Sequence, residues 1–186
     1  MTVFPVLLFA AYYFGTRMSF AFDVSAGDKI DEFNGVTVYY NGGINQTHGR
    51  NLSEDGYNIG LRHQCVEFVK RYYFERFGHK MPDSYGHAKS FFDPSVTDGA
   101  LNAARGMLQY RNGSATAPQA EDLIVFAPTV LNPYGHVAIV TDVEADGIGI
   151  IQQNVGKKTR EELALITKAD GFFIDDSRVY GWLRMP

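Results

Sequence analysis

Hydrophobic residues recur at intervals of three and four in one segment of this 186-residue chain. The apolar and aromatic positions of the segment are Val66, Val69, Tyr73 and Phe77. This spacing is typical of one face of an α-helix. Gly78 can end the helix in a left-handed conformation, and Pro82 prevents it from resuming. The pattern therefore predicts a helix that begins at about Gln64 and ends before Gly78.

The second half of the chain has the pattern of buried strands. Three apolar segments, "EDLIVFAP", "GHVAIVTDV" and "GIGIIQQNV", begin at Glu121, Gly135 and Gly147. Only residues 144–146 separate the last two, which predicts an antiparallel meander. Near the N-terminus residues 35–40 alternate like a strand, whereas residues 41–60 are rich in Gly, Asn and Ser and predict a long loop.

Composition and charge limit the classes of function. With 45% hydrophobic and 20% charged residues, the chain is ordinary globular protein, and no linker or repeat divides it, so residues 30–186 are expected to form one domain. A formal net charge of -4 gives no basic surface for nucleic acid. The five histidines and one cysteine never have the spacing of zinc ligands, so we expect neither a metal nor another cofactor.

The first 21 residues have two interpretations. An apolar run over residues 3–14, followed by Arg17 and by Ser19-Phe20-Ala21, indicates an export signal cleaved after Ala21. No Lys or Arg precedes the run, however, so an ordered apolar arm or a membrane-surface segment is the alternative. The run is too short for a stable membrane span. The location predicted from this segment is outside the cytoplasm, with the cytoplasm as the alternative.

The only cysteine, Cys65, lies in the first turn of the predicted helix. Unpaired N–H groups and the helix dipole favour a thiolate there, which would lower the thiol pKa and make the sulfur a better nucleophile. A lone cysteine is also frequently a buried, inert residue. Position alone does not decide between these two roles.

A cysteine nucleophile needs a base, and the base needs a group that holds its ring. His136 begins the second predicted strand just after a turn, so its ring would lie at the end of the sheet. Gln152 and Asn154 share one face of the next strand. A three-residue turn would make Asn154 the diagonal neighbour of His136, and a longer turn or a bulge would bring Gln152 there instead.

Four motifs in order resemble the CHAP (cysteine, histidine-dependent amidohydrolase/peptidase) family. They are "HQCVEFVKRYY", "GHVAIVTDV", "IIQQNV" and "YGWLR". The strongest likeness is to the amidase domain of glutathionylspermidine amidase/synthetases. The resemblance implies an α+β, papain-like fold in which N-terminal helices pack on an antiparallel sheet.

The resemblance also implies roles for particular residues. Cys65 would be the nucleophile, His136 the general base and then acid, and Gln64 would assist the Cys65 backbone N–H in an oxyanion hole. The amidase domains have a glutamate where this chain has Gln152. A neutral amide, from Gln152 or Asn154, must therefore orient the imidazole.

The substrate implied is an amide bond in a peptide. Peptidoglycan peptides suit a free-standing, exported amidase, and a glutathione–polyamine conjugate such as glutathionylspermidine is the alternative. A relative that binds peptide without cleaving it is the third reading, and it requires Cys65 to be inert.

Overall fold

The structure is a computed structural model that describes residues 24–186. The predicted export signal or apolar arm over residues 1–21 lies outside the described residues. No helix within residues 24–186 combines the length and apolar character needed to cross a membrane.

The α-helix of the described residues, α1, extends over Cys65–Phe77. Gly78 ends it with φ 65°, and its N–H donates to the Phe74 carbonyl over 2.9 Å. Only glycine adopts this left-handed conformation without a steric cost, which explains why the helix stops there. The helix predicted from the apolar spacing is confirmed.

Between residues 24 and 186, twelve β-strands account for most of the remaining regular structure. They are β1 (Lys29–Phe33), β2 (Val36–Tyr39), β3 (Arg50–Leu52), β4 (Asn58–Leu61), β5 (Ala100–Asn102), β6 (Met107–Arg111), β7 (Leu123–Phe126), β8 (His136–Val143), β9 (Gly147–Ile151), β10 (Arg160–Lys168), β11 (Gly171–Ile174) and β12 (Val179–Arg184). Eight of them form one antiparallel sheet in the order β11-β10-β9-β8-β7-β12-β6-β5, and β1-β2 and β3-β4 are separate hairpins. The predicted meander is confirmed as β7-β8-β9.

The expectation of an α+β fold with N-terminal helices packed on the sheet is wrong. Among residues 24–186, α1 is the single α-helix, beside one short 3₁₀ helix over Ala88–Phe91, and two hairpins precede it. The second hairpin, β3-β4, lies inside the predicted loop 41–60. Its strands have three and four residues and contain Gly60, too short and too irregular for a period of two to be detected in the sequence.

The large sheet separates two hydrophobic cores. Odd-numbered residues such as Val137, Ile139 and Ile151 pack with Phe68 and Tyr72 of α1. Even-numbered residues such as Ala138, Val140, Ile150 and Trp182 form the core on the opposite face. Because successive side chains of a strand alternate, both faces of β7, β8 and β9 are apolar, which explains their nearly continuous hydrophobic runs. The start of α1 is thereby held against the start of β8.

Candidate active site

Cys65 is the first residue of α1, and its sulfur lies against the start of β8. The backbone N–H groups of Val137, Val66 and Cys65 itself lie near enough to this sulfur to favour its thiolate form. Since Val137 directly follows His136, the sulfur lies close to the backbone at the start of β8. Cys65 is half-buried and lines a cavity, so the thiol is not enclosed in the core.

His136 is the first residue of β8 and lines the same cavity as Cys65. Strand alternation puts its side chain on the sheet face opposite to α1, where its ring packs 5.9 Å from that of Phe126. The two residues share the cavity because His136 lies where the sheet ends. Its Nε2 lies 2.8 Å from Gln152 Oε1. Nε2–H therefore donates to this carbonyl oxygen, and Nδ1 is the nitrogen that Gln152 does not engage.

The turn before His136 depends on glycine. Gly135 has φ 76°, and a Cβ added there would lie 2.6 Å from the Phe126 carbonyl oxygen and 3.0 Å from the backbone nitrogen of Lys89. A side chain at this position would meet both a conformational and a steric barrier. Gly135 thus lets the chain enter β8 with His136 at the edge of the sheet.

A bulge puts Gln152 on the same sheet face as His136, and the end of β9 removes Asn154 from the pairing. The pairing of β8 with β9 starts with Val143 opposite Ile148 and shifts between Val140 and Asp142, after which Ile139 lies opposite Ile151. Continued beyond β9, the shifted register puts Gln152 diagonal to His136 and Asn154 directly opposite it. Asn154 does not take that place, because β9 ends at Ile151 and Asn154 has φ 69°. The sequence alone left both residues open because it reveals neither the bulge nor the end of the strand.

A carboxylate holds the Gln152 amide in this orientation. Gln152 Nε2 donates to Glu161 Oε2 over 3.1 Å, and Lys158 Nζ lies 3.2 Å from Glu161 Oε1. With its NH₂ group bound to a carboxylate, the Gln152 side chain presents its carbonyl oxygen to the imidazole. Gln152 is buried, so an unmade hydrogen bond would be costly there.

Asn154 contacts the candidate oxyanion-hole residue instead of the histidine. Its Nδ2 donates to Gln64 Oε1 over 2.6 Å and to the Ile44 carbonyl over 3.0 Å. Gln64 Nε2 donates to the Gln46 carbonyl over 2.6 Å, which leaves one of its two N–H groups for another acceptor. Gln64 lines the cavity beside Cys65, where the first N–H groups of α1 have no partner within the helix.

Gln153, between the two amides, ties β9 to the start of α1. It is fully buried, and its Nε2 donates to the Gln64 carbonyl and to Glu67 Oε2, both over 3.0 Å. Glu67 in turn forms a buried ion pair with Arg71. The three amides of "QQN" therefore bind three different groups: the histidine, the helix and the Gln64 side chain.

Burial favours the neutral forms of both Cys65 and His136. It raises the pKa of the Cys65 thiol to about 11, although three backbone N–H groups act in the opposite direction. Burial likewise lowers the pKa of His136 to about 4, although the hydrogen bond to Gln152 opposes this shift. Both residues keep some surface open to the cavity, which moderates the two shifts without reversing them.

The expectation that the helix start lowers the thiol pKa is thus not met. Desolvation of the sulfur outweighs the stabilisation that the N–H groups of the first turn provide. The resting pair is a thiol beside a neutral imidazole. In such a pair the thiol loses its proton to the base during attack, rather than before substrate binds.

The shared cavity has a volume of about 650 Å³ and opens to solvent. It is lined by the start of α1, by Gly60 and Leu61 of β4, and by residues 84–88 and 131–136. Exposed apolar and aromatic side chains surround its mouth: Ile44, Tyr85, Leu131 and Tyr134. A cleft of this size can hold several residues of a peptide.

Three residues of the site were not identified from the sequence. They are Glu161, which binds Gln152, Gln153, which binds the helix, and Arg50, which lines the cavity. In the sequence, Gln153 falls on the strand face opposite to that of Gln152 and Asn154. Glu161 could not be identified because no pattern in the sequence predicted its strand, β10. Among residues 24–186, no three His, Cys, Asp or Glu side chains form a group that could hold a metal ion.

The CHAP domain family matches residues 53–154, which is more than half of the chain and includes the five residues expected in the site. Among curated proteins, a trypanothione synthetase from Crithidia fasciculata is 32% identical over 106 residues, 57% of this chain and 16% of the relative. A bifunctional glutathionylspermidine synthetase/amidase from Escherichia coli (strain K12) is 29% identical over 147 residues, 72% of this chain and 23% of the relative. The chain thus spans less than a quarter of the length of these relatives.

Two solved structures of remote similarity were also found. A wild-type endolysin, LysIME-EF1, is 22% identical with a TM-score of 0.42, covering 77% of this chain and 61% of its own. The structure of Ly7917 is 20% identical with a TM-score of 0.36, covering 66% and 53%. Likeness at this level does not identify a substrate.

Proposed function

The chain belongs to the CHAP domain family, and we propose that it is an amide hydrolase whose nucleophile is the thiol of Cys65. The observation that supports this most strongly is the arrangement around His136. Its Nε2 donates to Gln152 Oε1, Cys65 lines the same cavity, and the backbone N–H of the next residue, Val137, lies near enough to the Cys65 sulfur to favour the thiolate. A base held by one nitrogen beside a thiol is the arrangement that nucleophilic cysteine hydrolases require.

The first half of the proposed reaction forms an acyl-enzyme. His136 Nδ1 takes the thiol proton as the sulfur attacks the amide carbonyl carbon. The resulting oxyanion accepts hydrogen bonds from the Cys65 N–H and from the free N–H of the Gln64 amide. The imidazolium then gives its proton to the amide nitrogen, the carbon–nitrogen bond breaks, and an amine leaves a thioester on Cys65.

The second half releases the acid and restores the enzyme. Water attacks the thioester carbonyl while His136 Nδ1 takes one of its protons, and the carbon–sulfur bond then breaks. The sulfur recovers the proton from the imidazolium, so the net reaction consumes one water and yields a carboxylic acid and an amine. Gln152 accepts from Nε2–H throughout, which keeps the proton-accepting lone pair on Nδ1.

The first candidate substrate is a peptide of peptidoglycan. The cavity has a volume of about 650 Å³, opens to solvent and is lined by exposed apolar and aromatic side chains. It can therefore accept a peptide chain that extends beyond the cavity, which favours a peptide over a small molecule. Such a substrate would place the protein outside the cytoplasm. Glutathionylspermidine is the second candidate, favoured by the printed name of the amidase relative, and it would be compatible with a cytoplasmic protein.

The proposed function is tested by digesting purified peptidoglycan and, separately, glutathionylspermidine, with products identified by mass spectrometry. Cys65→Ala should abolish release of new amino groups, and His136→Ala should lower the rate about 10²- to 10⁴-fold because general base catalysis is lost. His48→Gln is the matched control, because His48 binds the Asn41 carbonyl and does not line the cavity. Full turnover by Cys65→Ala would refute the proposal.

A further inference from the structure

The cavity that contains Cys65 and His136 has an unusual distribution of charge. Among residues 24–186, the side chains that line it include no Asp or Glu. Arg50 is the one lining residue with a permanent charge, and the other ionisable groups are Cys65, Tyr85, Tyr134 and two histidines. The site therefore offers a single positive group to whatever occupies it.

Arg50 is connected to the candidate nucleophile through the β3-β4 hairpin. It is the first residue of β3 and pairs with Leu61, the last residue of β4. The Gln64 N–H donates to the Leu61 carbonyl over 3.1 Å, and α1 begins at the next residue, Cys65. The β3-β4 hairpin and the start of the helix thus form one continuous surface that a bound peptide can follow.

The Arg50 guanidinium has capacity for another acceptor. Its Nη1 donates to Asn58 Oδ1 over 2.8 Å, and its carbon lies 5.6 Å from the centre of the Tyr85 ring. None of the ion pairs formed within residues 24–186 includes Arg50. A guanidinium has five N–H donors, so most of those of Arg50 remain available, and Asn58 and Tyr85 orient the group in advance.

We propose that Arg50 determines substrate specificity by binding a carboxylate of the peptide whose amide bond Cys65 cleaves. This inference rests on the proposed function and adds the class of substrate: an acidic peptide. A carboxylate matches the fork of a guanidinium and can accept two parallel hydrogen bonds. The positive charge is exposed at the cavity, so the preference is expected to weaken as salt concentration rises.

The same charge distribution disfavours a polyamine inside the cavity. Ammonium groups bound there would find no carboxylate among the lining residues and would be repelled by Arg50. A glutathione–polyamine conjugate, which carries these ammonium groups, is therefore a poorer occupant than a peptide that carries carboxyl groups and no polyamine.

The test uses one peptidoglycan stem peptide with all carboxyl groups free and a series in which each carboxyl in turn is converted to the carboxamide. For the wild-type protein, one of these conversions should lower kcat/KM about 10- to 100-fold, the range expected for losing a hydrogen-bonded charge pair. In Arg50→Gln the free acid and that carboxamide should be cleaved at similar rates. Arg50→Lys should retain part of the preference, because it keeps the charge and loses the fork.

Arg62→Gln is the matched control for a general change of charge. Arg62 is exposed, follows β4 and does not line the cavity. This variant should keep the wild-type ratio between acid and carboxamide. Circular dichroism shows whether each variant is folded. If Arg50→Gln folds poorly, the inference is tested by the ratio of the rates for acid and carboxamide in the wild type and in Arg50→Lys.

Three results would overturn the inference: no carboxamide conversion affects the wild type, the effect persists in Arg50→Gln, or glutathionylspermidine is cleaved faster than every acidic peptide. Failure of the proposed function has a different signature. If the wild type cleaves no amide, the binding of the free-acid peptide to Cys65→Ala protein is measured with and without Arg50→Gln. Weaker binding in the double variant would support the role of Arg50 and refute only the hydrolase activity.

Discussion

Replacing Gln152 with glutamate tests the hydrogen bond that orients the His136 ring. Residue 152 is a neutral amide that lies between a histidine and a carboxylate. In the structure, Gln152 Oε1 faces His136 Nε2 at 2.8 Å and Gln152 Nε2 faces Glu161 Oε2 at 3.1 Å. Gln152→Glu would put a carboxylate next to the imidazole, which favours the imidazolium. It would also put that carboxylate against Glu161.

The repulsion between the two carboxylates can be estimated from their separation. Two unit charges at the 3.1 Å of the present contact interact by about 5 kcal/mol at an effective dielectric constant of about 20. We take about half of this, because the Glu161 side chain is 35% exposed and pairs with Lys158. A cost of about 2–3 kcal/mol corresponds to about two pKa units, so the pair should retain one proton up to near-neutral pH.

The single variant should therefore leave the net charge beside His136 nearly unchanged. The imidazole of His136 acts as a base only above its pKa, which burial lowers to about 4, so kcat/KM should fall as the pH drops toward that value. In the single variant the midpoint of this fall, the acid limb, should lie less than about one pH unit above that of the wild type. The double variant Gln152→Glu/Glu161→Gln keeps one carboxylate and moves it next to the imidazole. There it should raise the His136 pKa by about one to three units and shift the acid limb equally.

The measurement is the pH dependence of kcat/KM, together with NMR titration of the His136 ring. Glu162→Gln is the control, because Glu162 is exposed and follows Glu161 on the opposite face of β10. It should leave the profile unchanged. A single variant whose acid limb shifts as far as that of the double variant would contradict the Gln152–Glu161 contact, and no shift in either would show that residue 152 does not touch His136.

Three further substitutions test the packing around the site. Gly135→Ala should lower the free energy of unfolding by about 1–3 kcal/mol or more, because Gly135 has φ 76° and lies against the Phe126 carbonyl. Thermal unfolding measures this loss, and equal Tm values for wild type and variant would contradict it. Asn154→Ala should lower kcat about 10-fold by loosening Gln64 while leaving the acid limb in place, so a shifted limb in the pH profile would argue against the assignment. Phe68→Ala, in the core between α1 and the sheet, should cost about 3–5 kcal/mol in urea denaturation, and a loss below about 1 kcal/mol would mean that this core is loosely packed.

Several features of the protein follow from the sequence alone. The spacing of Val66, Val69 and Tyr73 and the glycine at 78 predicted α1 because helix periodicity and the left-handed end are local properties. The apolar runs at 121–128, 135–143 and 147–155 predicted β7, β8 and β9 for the same reason. Four ordered motifs identified the family, since they depend only on residue identity and order.

The tertiary structure decided the features that depend on contacts between distant segments. Gln152 rather than Asn154 contacts His136 because of the bulge between Val140 and Asp142 and because β9 ends at Ile151, and no local pattern reveals either feature. The raised pKa of Cys65 reflects desolvation by burial, and this outweighs the local effect of the helix start. Glu161 becomes the partner of Gln152 only because β10 pairs with β9. Side-chain alternation and helix ends are encoded within a few residues, whereas register, burial and charge environment arise from packing between segments far apart in the chain.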